Sequence, residues 1–366
     1  MIYSLQYLRG IAALLVVLYH SRGELNNVYP QNNLGDLLFQ QGYIGVDLFF
    51  MISGFVIMLS TEKSSSVHEF ITKRLFRIYP IYLACLVFSI MAFNIPMDER
   101  IIKSLLFINL DLSSGAPWFG YSVVFTAWTL MFEFVFYIIF AISMLISSKY
   151  RGIICMILLI AIPTALNIFY SGDVYVSGYH SLQIKTQSIY LDGIISVLSS
   201  PMFYEFSVGI LIYIIYKNFD FKVIKNLSGW FLLISLSMFV YYLSSGYNGG
   251  HGLLGCGVYS FALLFSLVIY EKFNNVKRNE FLIKIGDASY SMYLIHPIVI
   301  SLLTSGVIGI GIYDKSHGLS NVILILLITS VVSYMMFVLI ESKFIKLARI
   351  ILNYKKTKNN KYSLES

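Results

Sequence analysis

Ten apolar stretches, each roughly the 20 residues that a helix needs to cross a hydrocarbon core, recur along the sequence. They lie near residues 4–22, 42–60, 75–93, 121–147, 150–170, 192–216, 228–245, 250–271, 286–311 and 319–342. A backbone inside lipid must satisfy its own N–H and C=O groups, which only helices and closed barrels achieve. Runs this long and continuously apolar select the helix. The expected fold is therefore an all-α integral membrane protein, a bundle of about ten transmembrane helices. Composition points the same way: 57% of the side chains are apolar and 12% charged, too little polar surface to cover a water-soluble globule. The stretch 4–22 carries Arg9 and no small-residue cleavage site follows it, so it reads as a first span rather than a removed signal.

The placement of positive charge orients the bundle. Of the 26 Lys and Arg, only Arg22, Arg100, Lys103, Lys185 and Lys315 fall on the side opposite the N-terminus. Short basic loops stay cytoplasmic, so both termini are expected to be cytoplasmic. The net charge of +7 is spread over inner loops and the tail, which favours anionic membrane lipids as partners and disfavours nucleic acid. Cys85, Cys155 and Cys256 sit far apart inside apolar runs and read as small core residues. No repeat or linker divides the chain. One domain is expected over 1–350, followed by a polar cytoplasmic tail, 351–366, read as disordered.

Ionisable residues inside spans are costly and mark candidate sites. Arg9 and His20 are eleven residues apart on the first span, about three turns along one face. Arg74 and Arg77 in KRLFRIYP share a helix face where the third span begins, a pairing suited to phosphate as well as to a basic anchor. Asp47, Glu133 and Glu205 are embedded in apolar surroundings. Each can form an interhelical ion pair or orient an imidazole, and Glu133 is the preferred orienting acid. His296 in SYSMYLIHP reads as a packing histidine bonded to a neighbouring carbonyl. His68, His180, His251 and His317 fall in loops or at span ends. No His pair has the spacing of a zinc site, and no catalytic metal is expected.

Taken together, YLRGIAALLVVLYH, GYIGVDLFFMISGFVI, KRLFRIYPIY, WTLMFEFVFY and SYSMYLIHP resemble membrane acyltransferase family 3 in order and spacing, over essentially the whole chain. The opening SLQYLRGIAALLVVLYHS is most similar to the branch that acetylates bacterial exopolysaccharides and O-antigens. The resemblance implies a multi-pass protein of the bacterial cytoplasmic (inner) membrane. It implies an O-acyltransferase that takes an acyl group from acyl-CoA, by default acetyl-CoA, to a carbohydrate hydroxyl, the acceptor being surface-bound or lipid-linked. By that analogy His20 matches the catalytic histidine, Arg9 the arginine eleven residues before it, and Arg74 and Arg77 the RxxR element that handles acyl-CoA. In the mechanism so implied, His20 acts as base with Glu133 or Asp47 holding its tautomer, or takes the acyl group itself. No SGNH hydrolase-like extension is expected, and a homo-oligomer stays open.

Two rival readings remain. Intramembrane Arg, His and Glu also build proton relays, as in a transporter or flippase of a lipid-linked sugar. An acyltransferase could equally act on a lipid or a secreted metabolite. The loops 94–118 and 172–190, with Asp111, Trp118 and Tyr179 as candidate sugar contacts, are expected to decide the acceptor.

Overall fold

The computed structural model describes residues 2–365 apart from 64–65, 185, 187, 221, 248 and 306–312, and the backbone alone at 189 and 355–365. Lys185 and the last residues of the ninth expected span thus lie outside the described residues. The helices are, in order, α1 (Tyr3–Ser21), α2 (Leu34–Phe39), α3 (Ile44–Thr61), α4 (Val67–Ala92), α5 (Glu99–Leu105), α6 (Trp128–Ile146), α7 (Arg151–Ser171), α8 (Ile189–Leu198), α9 (Phe203–Asn218), α10 (Ser228–Ser244), α11 (Cys256–Phe273), α12 (Glu280–Asp287), α13 (Ser289–Thr304), α14 (Leu319–Met336) and α15 (Ser342–Glu365). Among the described residues they form an all-helical bundle with no strand.

Among the described residues, eight helical segments are long and apolar enough to cross a membrane: Leu34–Thr61, Val67–Ala92, Phe125–Ile146, Arg151–Ser171, Tyr190–Asn218, Lys222–Ser244, Cys256–Phe273 and Leu319–Tyr354. The other two expected spans are α1 and α13. The first is diluted by Gln6, Arg9 and His20, and the second is 16 residues long. Helix α15 runs from Ser342 to Glu365.

The helix ends sort onto two faces, and their hydrogen bonds show which ends lie together. On one face the Glu271 carboxylate accepts the Tyr3 and Ser4 N–H groups at 2.6 and 2.7 Å, capping the start of α1 from the end of α11. Arg151 donates to the Thr61 carbonyl at 2.6 Å, and Lys217 pairs with Glu62. We call this the basic face. On the far face, Tyr313 donates to Glu24 at 2.7 Å and Tyr242 to Tyr43 at 3.1 Å.

Helix α3 is the hub, packed on α1, α9 and α11 and buried over most of its length. Its tightest partner is α9, where Gly54 and Gly209 let the two backbones meet. A Cβ on Gly54 would fall 2.2 Å from the Phe206 carbonyl oxygen, and one on Gly209 2.0 Å from that of Met51. Small residues are how membrane helices approach closely. Gly209→Leu should force α3 and α9 apart at a cost of about 3 kcal/mol or more, read as a lower thermal midpoint and a loss of monodisperse protein in detergent.

Candidate active site

Three cavities abut in series through the bundle. At the basic face lies one of about 320 Å³, with Lys73, Arg74, Arg77 and Arg349 in its wall. Next comes a constricted one of about 90 Å³, bounded by Arg9, Arg74, Arg77, Glu133, Tyr137 and Tyr290. Toward the far face opens a third of about 340 Å³, walled by His20, His251 and a group of aromatic rings. The first two share Val56, Arg74 and Arg77, and the last two share Val46 and Tyr293.

Several charged groups in this row have polar partners. Arg74 donates to Ser60 Oγ at 2.6 Å and lies over the Phe70 and Tyr137 rings. Glu133 Oε1 accepts Ser53 Oγ at 3.2 Å and the Tyr137 hydroxyl. Arg9 donates to Gln6 Oε1 at 3.2 Å and sits in the field of Glu341, Asp287 and Glu133, which offset its charge against that of Arg77. Glu341 is buried in a π-helical turn, Phe337–Glu341, and accepts Ser291 Oγ at 2.9 Å. Such π turns within a helix displace one residue from the regular register, here turning a carboxylate toward the arginines.

His20 stands at the end of α1. Its ring lies 5.2 Å from His296, 4.9 Å from Tyr19 and 5.5 Å from Phe125, centroid to centroid. His296 Nδ1 donates to the Met292 carbonyl at 3.1 Å, and its buried Nε2 has no hydrogen-bond partner among the described residues. The backbone bond is that of a packing histidine, but packing alone does not require a second imidazole at its side. Pro297 lacks the N–H that would bond the Tyr293 carbonyl; Thr126 Oγ1 donates to it instead at 2.9 Å, tying α13 to the start of α6.

The family model described as an acyltransferase domain matches residues 2–339. The chain belongs to the acyltransferase 3 family. It is a multi-pass membrane enzyme that transfers acyl groups other than aminoacyl groups. Relatives include the exopolysaccharide production protein ExoZ of Rhizobium meliloti, 27% identical over 75% of this chain and 81% of its own length. Nodulation protein 10 of Rhizobium leguminosarum is 24% identical over 82% and 84%. The O-acetyltransferase OatA of Staphylococcus aureus is 26% identical over 81% of this chain, which spans half of that relative. No solved structure matches the chain.

Arg9, Arg74, Arg77 and Glu133 gather around one cavity, and His20 lines the next. The expected support of His20 by a carboxylate is a correction. Among the described residues neither Asp47 nor Glu133 bonds His20: Asp47 Oδ2 accepts His251 Nδ1–H at 2.7 Å, and Glu133 is engaged by Ser53 and Tyr137. The reason is placement. Asp47 lies in the first turn of α3, beneath the loop that carries His251, while Glu133 faces the arginines. Glu205 is fully buried, its carboxyl group beside that of Asp47 and the Gly252 backbone. Trp118 and Tyr179 wall the far cavity, their rings 5.6 Å apart, whereas Asp111 is turned to Ser113 outside it.

Sequence reasoning left His251 in a loop without a role and did not single out Glu341 or Asp287. The signal for His251 is its setting in NGGHGLLG, where glycines let the chain turn tightly around one polar side chain. Because the middle cavity is so small, Ser53→Phe should block it. Acyl transfer should fall at least about tenfold while acyl-donor binding at the basic face persists, measured by turnover alongside equilibrium binding.

Proposed function

We propose that this enzyme moves an acyl group, acetyl by default, from cytoplasmic acyl-CoA to a hydroxyl of a bacterial exopolysaccharide, capsule or O-antigen, the acceptor being surface-bound or lipid-linked. The observation that carries this reading is the row of three abutting cavities, cationic at one end, aromatic at the other, with His20 beyond the constriction. Guanidinium groups bind phosphates with paired, charge-assisted hydrogen bonds, so Arg74 and Arg77, with Lys73 and Arg349 beside them, take the nucleotide phosphates. The acyl-bearing arm passes Arg9 and Glu133 toward His20. The excess of basic residues on the face where α1 begins supports placing that mouth in the cytoplasm of a cell whose inner membrane holds the protein.

The acceptor enters from the far face. Aromatic rings stack on the apolar faces of sugars while tyrosine hydroxyls bond their hydroxyls, and Trp118, Tyr121 and Tyr179 supply both. The names of the relatives, an exopolysaccharide production protein and an O-acetyltransferase, support a glycan acceptor and an acetyl group. His20 is where donor and acceptor meet. It acts on the hydroxyl as base or receives the acyl group first, and either route runs through this imidazole. A flippase built on the same charges would leave glycan mass unchanged.

Mass spectrometry of the surface polysaccharide from a deletion strain tests the reading. An alkali-labile acyl mass should vanish on deletion, return with the wild-type gene, and stay absent with His20→Ala; unchanged mass in every strain would refute it. Arg77→Ala should raise KM for acyl-CoA about 10- to 100-fold, the worth of one charged hydrogen-bonding pair, with a smaller effect on kcat.

A further inference from the structure

The far cavity contains a second histidine that is built differently from the first. His251 Nδ1 donates to Asp47 Oδ2 at 2.7 Å, and Asp47 Oδ1 accepts the Gly252 N–H at 3.0 Å. Asp47 is fully buried and His251 nearly so. The pairing fixes the proton on Nδ1 and leaves the lone pair of Nε2 for the cavity that both histidines line. An acid that holds one ring nitrogen so that the other can take a proton, and that stabilises the imidazolium formed, is the arrangement a general base requires.

The loop is built to keep it there. Gly178 N–H donates to the His251 carbonyl at 2.8 Å, beside an isolated antiparallel bridge between Ser177 and Gly252. Gly252 adopts φ +110°, and a Cβ on it would fall 2.4 Å from Gly178 N. The His251 ring packs against Tyr43 at 5.0 Å and Tyr179 at 5.8 Å. His20, in contrast, makes no hydrogen bond to a carboxylate among the described residues; between the two imidazoles stand Tyr19 and Tyr43, ring against ring at 5.6 Å.

We propose that His251, positioned by Asp47, is the base that takes the proton of the acceptor hydroxyl, and that His20 is thereby left to carry the acyl group. This rests on the acyltransfer reading above. First, a His20 nitrogen attacks the thioester carbonyl. The C–S bond breaks, the thiolate leaves with the electron pair, and the proton of the acylimidazolium passes to it as free thiol. Next, His251 Nε2 takes the hydroxyl proton as that oxygen bonds the acyl carbon. The C–N bond to His20 breaks, its pair returns to the imidazole nitrogen, and the proton held by His251 returns to that nitrogen by way of water in the cavity that both rings line. Both rings end neutral, and the ester and thiol are the only products.

The test uses full-length enzyme in nanodiscs with acetyl-CoA labelled in the acetyl group and de-acetylated surface glycan from the deletion strain. His251→Gln and Asp47→Asn, each close in shape to the original side chain, should lower kcat for glycan acetylation about 100-fold or more. KM for acetyl-CoA should stay within about threefold in both variants, and the label should accumulate on His20, found by peptide mass. Asp47, as a positioning residue, should show that same kcat-against-KM split. Glycan acetylation within about threefold of wild type in both variants, or no label on His20 in either, overturns the proposal while leaving the acyltransferase reading intact. Wild-type enzyme that acetylates no glycan overturns both.

Discussion

Three guanidinium groups in the basic half of a membrane-spanning bundle set the terms for everything around them. A cation at that depth is tolerable only beside water or an opposite charge, and the bundle supplies room for both. Glu133, Glu341 and Asp287 bring negative charge from three separate elements, and the packing around Arg9, Arg74 and Arg77 is left open rather than sealed. An all-apolar bundle would have closed this space. The two cavities that these arginines wall accord with placing a cation where lipid would otherwise be the solvent.

Much of this was legible in the sequence, because the signals that carry it are local. Hydropathy located the apolar stretches, and among the described residues eight helical segments have the length and apolarity of a span, since a spanning backbone must satisfy itself. The basic sites were equally visible: Arg9 stands out in an apolar run, and Arg74 and Arg77 share a helix face. What remained hidden depends on contacts between distant segments. Asp47 and Glu133 both offered themselves as partners of His20, yet one meets a residue 204 positions away and the other is taken by Tyr137 on its own helix and Ser53 on α3. No periodicity encodes that choice. His251 was passed over because a loop histidine has no register to betray its neighbours, and Glu341 because a π turn shifts it away from the face that regular spacing assigns.

The two histidines of the far cavity also show how differently one side chain can be prepared. His20 is surrounded by rings and by the second buried imidazole of His296, a setting that offers its nitrogens to an electrophile without a carboxylate behind them. His251 is locked by a carboxylate and a glycine turn. Residues of one type thus become distinct reagents through what lies one layer behind them.

The throat between the two wide cavities has a consequence for the cell as a whole. At about 90 Å³ it is several times smaller than the chambers it adjoins, and charged and aromatic side chains crowd its wall. In the proposed reaction only the slender acyl-bearing arm would have to thread it, so a small group could be passed on without opening the bilayer to bulk solutes.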